Sequence, residues 1–180
     1  MRTILNAVII VLLSFVLASC TYYSYYSAGT RDHYSLTDDD IKQVQFYNSQ
    51  GFKLTREVST YDSKKIAKGH TLRSEQGKLI EEIDFDALLP GVAVNSTYDR
   101  LDISFEAGKT LPFQVLYDSR AYYCLKLDQD NTVLYDGVRY KVNYFYSLPC
   151  LFIVAEDLYK VEQKTRRVEG IKLKEEQGIR

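Results

Sequence analysis

Residues 132–142, TVLYDGVRYKV, alternate apolar and polar side chains on both sides of an Asp-Gly pair. Asp136-Gly137 suits a two-residue type I′ turn, which requires positive φ at both central residues. A turn there pairs Val133 with Tyr140 and divides the stretch into an apolar and a polar face. The apolar face would consist of Val133, Tyr135, Val138, Tyr140 and Val142. The stretch therefore predicts an antiparallel β-hairpin that buries one face.

The same alternation recurs in short segments over most of the chain. We predict a first hairpin from residues 44–46 and 52–54 around a Ser49-Gln50-Gly51 turn. Further strands are predicted at residues 79–85, 101–105, 122–127, 132–142, 151–155, 158–161 and 167–173, with a break at 88–91. Eight to ten short strands with no long helical period indicate a mainly β fold, a single antiparallel β-sandwich or small β-barrel.

One short N-terminal helix is predicted before these strands. Thr37 suits the N-cap, and the three aspartates at 38–40 would lie in the positive first turn of the helix. The same aspartates could suggest a metal site, but their position at a helix start explains them. We expect this helix to end by Gln43.

Length and charge place limits on the class of protein. The chain has 180 residues, which suits one domain, with 23 basic and 24 acidic side chains. A nucleic-acid-binding surface would require a basic stripe, and this balance does not predict one. No nucleic-acid partner is expected.

The N-terminus carries a targeting signal. A basic start at residues 1–3 precedes an apolar run at 4–17, which is too short to cross a hydrocarbon core of about 30 Å as a helix. The run ends in Leu17-Ala18-Ser19-Cys20, which resembles the signal of bacterial lipoproteins. The resemblance implies diacylglyceryl transfer to the Cys20 thiol, cleavage before Cys20 and acylation of the new amino group. The alternatives are a soluble secreted protein cleaved near a cysteine and an uncleaved membrane anchor.

The predicted organisation follows from that signal. Residues 1–19 form the cleaved signal peptide, and 20–35 form the lipidated cysteine and a flexible tether rich in Tyr and Ser. Residues 36–173 form the β-rich domain, and 174–180 form a charged tail. Tyrosines 22, 23, 25 and 26 suit a membrane interface. An aromatic motif that binds a partner is the alternative for them.

The residues after Cys20 bear on location. Thr21 is not aspartate, which by resemblance to enterobacterial sorting favours the outer membrane over the inner membrane. No acidic cluster follows Cys20 directly, as surface export in Bacteroidota would require, so we predict a periplasm-facing domain, with the cell surface as the alternative. Residues 41–58, IKQVQFYNSQGFKLTREV, and 133–142, VLYDGVRYKV, resemble small uncharacterised lipoproteins of Bacteroidota.

Two cysteines remain besides Cys20. In an exported, oxidising setting Cys124 and Cys150 can form a disulfide. The alternative is a pair of buried free thiols on neighbouring strands. The sequence leaves both readings open.

No catalytic, metal or cofactor site is predicted. His33 falls on the tether and His70 in a Lys-Gly-His turn, and no nucleophile elbow, phosphate loop or metalloprotease motif accompanies them. Asp128 and Asp130 suggest a calcium loop, but Arg139 occupies the position where an EF-hand needs its bidentate acid. Glu81, Glu82, Asp84 and Asp86 resemble a paired-carboxylate glycosidase site only by composition. The alternation of Asp84 and Asp86 with Ile83 and Phe85 is typical of a solvated strand face.

Three functions remain open. The first is a non-enzymatic lipoprotein, bound to the membrane by its anchor, whose β-domain has a structural role or docks an envelope protein. The second is a module that binds a glycan or another envelope component, with tyrosines as stacking platforms; no specific small molecule is indicated. The third is a hydrolase of unknown class.

Overall fold

The structure is a computed structural model that describes residues 21–59, 70–118 and 120–165. The strands are β1 (Tyr23–Tyr25), β2 (Gln45–Asn48), β3 (Phe52–Val58), β4 (Thr71–Glu75), β5 (Lys78–Phe85), β6 (Pro90–Ser96), β7 (Arg100–Glu106), β8 (Lys109–Val115), β9 (Tyr123–Leu125), β10 (Thr132–Tyr135), β11 (Val138–Tyr144) and β12 (Leu151–Val154). The helices are α1 (Ala28–His33), α2 (Asp38–Ile41) and α3 (Ala155–Thr165).

The strands form two antiparallel sheets. The large sheet has the order β1-β12-β2-β6-β7-β8-β9, and the small sheet has the order β10-β11-β3-β5-β4. The predicted mainly β sandwich is confirmed, and the sheets are not closed into a barrel. Two isolated β-bridges lie at β9. Ser27 pairs with Tyr122, which directly precedes β9, and Cys124 of β9 pairs with Cys150.

The hairpin at residues 132–142 is confirmed. Val133 lies opposite Tyr140, and Asp136 and Gly137 have φ of 51° and 72°. Of the predicted apolar face, Val138 is half-buried and the other four side chains are buried. They join the inner faces of both sheets in one hydrophobic core, with members such as Phe46, Leu54, Ile103, Phe113 and Ile153.

The short helix α2 is also confirmed. Thr37 is its N-cap, and its side chain accepts a hydrogen bond from the Asp40 backbone. The Asp40 carboxylate accepts a hydrogen bond from the Thr37 backbone N–H, so the two residues form a reciprocal capping box. The helix ends at Ile41, within the predicted limit.

The predicted first hairpin is wrong, because β2 and β3 belong to different sheets. Asn48 is fully buried where the chain passes from one sheet to the other. Its amide donates to the carbonyl oxygens of Gln50 and Asp86, at 2.8 and 2.7 Å, and accepts from the Leu89 N–H at 2.7 Å. Because β2 and β3 do not pair, these side-chain bonds satisfy backbone groups at the crossing in place of hairpin hydrogen bonds. Strand β6 begins at Pro90, so a strand starts within residues 88–91, where a break was predicted.

The predicted flexible tether is wrong over residues 23–33. Strand β1 pairs with β12 along its whole length, and α1 follows it with Ser27 as N-cap. Tyr26 is fully buried and stacks on Tyr123 at 5.0 Å between ring centroids. The folded domain therefore begins at Tyr23 rather than at residue 36.

The C-terminal prediction also requires correction. Residues 158–161 lie in α3 instead of a strand, and Leu158 and Val161 are buried at helical spacing. With α1 and α3, the described part of the chain has more than the single short helix predicted. The predictions for residues 1–19, Cys20, 167–173 and 174–180 lie outside the described residues. None of the helices in the described ranges combines the length and apolar character needed to cross a membrane.

Cys124 and Cys150 form a disulfide in the structure. Cys124 belongs to β9, and Cys150 directly precedes β12. The neighbouring Leu125 N–H donates to the Pro149 carbonyl oxygen at 2.8 Å, so the backbone also holds the two segments together. The cross-link therefore joins β9, at one end of the large sheet, to the start of β12, which lies next to the edge strand β1 at the other end.

Removal of this cross-link should destabilise the protein without changing its fold. The sequence separation of 26 residues corresponds to a contribution of about 3.5 kcal/mol on the chain-entropy relation. We expect a Cys124→Ala/Cys150→Ala variant to unfold at lower urea concentration than the oxidised wild type, and reduced wild type to behave like the variant. Two titratable thiols in the exported protein, purified without reductant and with Cys20 excluded, would contradict the disulfide.

Candidate functional site

The predicted lipidation site, Cys20, lies directly before the described residues. Only Thr21 and Tyr22 separate it from the first residue of β1, Tyr23. Three residue steps extend at most about 11 Å. Any group carried by the Cys20 sulfur is therefore held close to the edge of the large sheet.

Aromatic side chains surround that edge. We define the anchor-side aromatic surface as Tyr23, Tyr25, Tyr47, Tyr122 and Phe152. Tyr25 contacts Tyr122 and Phe152, each at 4.5 Å between ring centroids, and Tyr23 contacts Tyr47 at 4.9 Å. The cross-strand pairs Tyr25–Phe152 and Phe152–Tyr47 place three of these residues on one face of the large sheet. The surface therefore extends from the start of β9 across β1 and β12 to β2.

A charged cluster lies inside the sandwich around Glu81, which is 1% exposed. One carboxylate oxygen accepts from Nδ1 of His70, and the other accepts from Nε of Arg56. The Tyr140 hydroxyl donates to the second oxygen at 3.3 Å, and its ring lies 5.4 Å from the Arg56 guanidinium carbon. Three strands and the residue before β4 thus converge on one carboxylate.

The partners of Glu81 determine its ionisation. Burial alone would raise the pKa of the carboxyl, but hydrogen bonds from His70 and Arg56 outweigh burial and lower the pKa below its usual value. An ionised carboxylate accepts only, so Nδ1 of His70 carries the donated proton. The second ring nitrogen, Nε2, is buried and has no hydrogen-bond partner among the described residues.

A cavity of about 140 Å³ adjoins His70. Its walls include Phe85 and Phe105, and its polar groups include Glu106 and Tyr135. Tyr135 donates to Glu106, and Lys109 Nζ lies 2.8 Å from the same carboxylate oxygen. Burial would raise the pKa of Glu106, but Lys109 and Tyr135 lower it. The cavity thus combines apolar walls with the carboxylates of Asp84 and Glu106, the Tyr135 hydroxyl and the His70 ring.

The Glu81–His70 pair has the form of a base with an orienting carboxylate. No serine, threonine or cysteine is among the residues that line the adjoining cavity. The described residues also contain no group of three His, Cys, Asp or Glu side chains able to hold a metal ion. The polar groups that line the cavity, His70, Asp84, Glu106 and Tyr135, could hydrogen-bond a small polar group.

A second cavity, of about 480 Å³, opens at the end of the small sheet. We call it the end groove, and it is lined by Gln50, Gly51, Phe52, Lys53, Asp84, Phe85, Asp86, Phe145 and Tyr146. Phe52 and Phe85 stack at 4.6 Å. Phe145 is 81% exposed and Tyr146 is fully exposed. Two adjacent aromatic rings thus stand in solvent beside an apolar floor flanked by charges.

The structure changes three readings of site residues. His33 is in α1 rather than on a tether, and His70 contacts Glu81. Glu81, which the sequence related to its acidic neighbours by composition only, shares the inner side of β5 with Ile83 and Phe85. The alternation of Leu79, Glu81, Ile83 and Phe85 was a signal that could have placed Glu81 inside. Asp84 is exposed as predicted.

The comparisons with known proteins add no identification. A scan against protein-family models, a search of curated proteins and a search of solved structures found no match to this chain. Any function assigned to the chain therefore depends on its own residues.

Glu81→Gln tests the charged cluster. The substitution leaves Arg56 without a counter-charge, and since the Arg56 side chain is 29% exposed we expect a loss of about 1–3 kcal/mol in the free energy of unfolding. The folded-state pKa of Glu81 is lowered, so its contribution is full above the unfolded-state pKa and is lost as pH falls through the folded-state pKa. Wild type should lose more stability than Glu81→Gln below about pH 4.5.

Glu82→Gln is the matched control, because Glu82 is the next residue and faces the outer side, where it pairs with Lys53. Its effect should stay under about 1 kcal/mol. Urea titrations of all three proteins at several pH values measure the difference. Equal stability and equal acid sensitivity of wild type and Glu81→Gln would contradict the role given to Glu81.

Proposed function

We propose that the protein is a lipid-anchored envelope protein whose β-sandwich docks another envelope protein. The anchor is the acylated Cys20, in the outer membrane and with the domain in the periplasm. Docking takes place at the end groove. The proposal assigns no catalysis and no cofactor.

The anchor is supported by the signal before Cys20 and by the short connection to β1. A secretory-type apolar run ends in Leu17-Ala18-Ser19-Cys20, as the lipoprotein signal requires. Two or three acyl chains exceed the number needed for stable membrane binding. The edge strand starts at Tyr23, so the sandwich is held at the membrane surface.

One observation supports the docking proposal: Phe145 and Tyr146 are exposed beside the end groove. Exposed adjacent aromatic rings next to an apolar cavity are typical of interfaces, where such rings contribute much of the binding free energy. Lys53 and Asp86 at the rim would orient a polar surface around the apolar contact. The structure therefore favours a protein partner that inserts an apolar side chain into the groove.

Small-ligand binding is the second candidate. It is favoured by His70, which lines the 140 Å³ cavity and whose buried Nε2 has no hydrogen-bond partner among the described residues. A buried polar nitrogen without a partner costs free energy that a hydrogen-bonding group on a ligand would recover.

Intact-mass analysis and membrane fractionation test the anchor. Native protein should begin at Cys20 and carry the added mass of a diacylglyceryl group, with or without a further acyl chain. Cys20→Ala should leave the membrane fraction, because no acyl chain can be attached. An unmodified Cys20 sulfur, or residues 1–19 still present, would contradict the proposal.

Site-specific photocrosslinking tests the docking surface. A photoreactive phenylalanine analogue at Phe145 should give discrete adducts in intact cells, and Tyr146→Ala should reduce them at least tenfold. The matched control is the same analogue at Leu134, which is exposed on the hairpin β10–β11 and lies away from the groove residues. Equal adducts from both positions, or adducts insensitive to Tyr146→Ala, would refute a specific surface.

A further inference from the structure

We propose that the anchor-side aromatic surface lies directly on the lipid headgroup region, so that the sandwich rests on the membrane by the β1 edge of its large sheet. This inference rests on the proposed acylation of Cys20. It goes beyond that proposal because it names the face that contacts lipid and fixes the orientation of the domain.

The chain length between anchor and strand limits the possible geometries. A diacylated sulfur places Cys20 at the boundary between headgroups and acyl chains. Tyr23 follows within about 11 Å, and the headgroup region is about 5–8 Å thick on each side, so Tyr23 lies within that region or no more than a few Å beyond it. Strand β1 is fixed to the rest of the sheet, because all three of its residues pair with β12. The edge of the large sheet is therefore held at the lipid surface.

The composition of that edge suits the lipid interface. Tyrosine has an apolar ring and a polar hydroxyl, and it is enriched where membrane meets water. Four of the five residues of the surface are tyrosines, and Tyr22, just before β1, is 77% exposed. Tyr25 keeps 40% of its surface exposed although it stacks on two rings. Packing within the domain thus leaves part of this aromatic surface in contact with solvent.

Two neighbouring residues, Val92 and Arg120, add groups that also suit contact with lipid. Val92 is 47% exposed and pairs with Gln45 on β2, two register positions from the Tyr47–Pro90 pair and therefore on the same face of the sheet. The Arg120 guanidinium carbon lies 6.0 Å from the Tyr122 ring centroid, and an arginine at an interface pairs with lipid phosphate. The contact with lipid would thus combine aromatic rings, an aliphatic side chain and a cation.

The opposite side of the sandwich provides the contrast. Its outer face is formed by the small sheet and carries charged side chains such as Lys53, Glu82, Arg73 and Lys141. Ion pairs Lys53–Glu82 and Lys53–Asp84 hold these charges in a hydrated surface. A domain resting on the aromatic side presents this charged face away from the membrane.

Tryptophan fluorescence tests the orientation, because the chain contains no natural tryptophan. Tyr122→Trp introduces a single reporter on the aromatic surface, far from Cys20 in sequence. Leu134→Trp is the matched control on the outer face of the small sheet. Full-length acylated protein would be placed in phosphatidylcholine vesicles whose lipids carry bromine near the headgroup.

We expect the brominated lipids to quench Tyr122→Trp at least threefold more than Leu134→Trp. Tyr25→Trp gives a second reporter on the same surface, should Tyr122→Trp fail to fold as judged by circular dichroism. Weak quenching of the folded surface reporters, equal to that of Leu134→Trp, would overturn the inference.

The same samples separate the two proposals. Intact-mass analysis measures whether Cys20 is acylated. Protein without acyl chains that stays off the vesicles would refute the anchor and, with it, the inference. Acylated, vesicle-bound protein with unquenched surface reporters would refute the membrane-facing orientation alone.

Discussion

Antiparallel pairing between β1 and β12 determines how the N-terminus relates to the rest of the molecule. It joins residues 23–25 to residues 152–154 and makes the segment after Cys20 the edge of the large sheet. The aromatic contacts of Tyr25 with Tyr122 and Phe152 exist only because this pairing brings distant parts of the chain together. An anchor at Cys20 would therefore set the orientation of the whole domain and would do more than retain it near a membrane.

The molecule divides its polar and aromatic groups among distinct places. The interior holds the ionised carboxylate of Glu81, which Arg56 and His70 satisfy, and such a cluster costs less than an unpaired charge in the same position. The aromatic surface lies around β1, and the end groove lies beside the small sheet with Phe145 and Tyr146. Lipid contact at one place and protein contact at the other are compatible, because they use different sheets.

Local patterns were predictable from the sequence, and long-range pairings were not. The hairpin around Asp136-Gly137 could be predicted because both strands and their turn lie within eleven residues. The strand at Tyr23–Tyr25 was missed because its partner begins at Leu151, and the tyrosine doublets hide the alternation. The inward orientation of Glu81 could be predicted, because Glu81 alternates with Leu79 and Ile83 along β5. Its contact with His70 could not, because it depends on how residues 70 and 81 come together in the fold.

The β1–β12 pairing also sets an order of events during synthesis. Among the described strands, β1 comes first in the chain and its partner β12 comes last, and closing so large a loop is entropically costly until the intervening strands have formed. Strand β1 therefore has no partner strand while residues 151–154 are still being made. Once residues 151–154 arrive, the ladder restrains it. A modifying enzyme that acts during export would meet a free substrate, and completion of the fold would end that period of access.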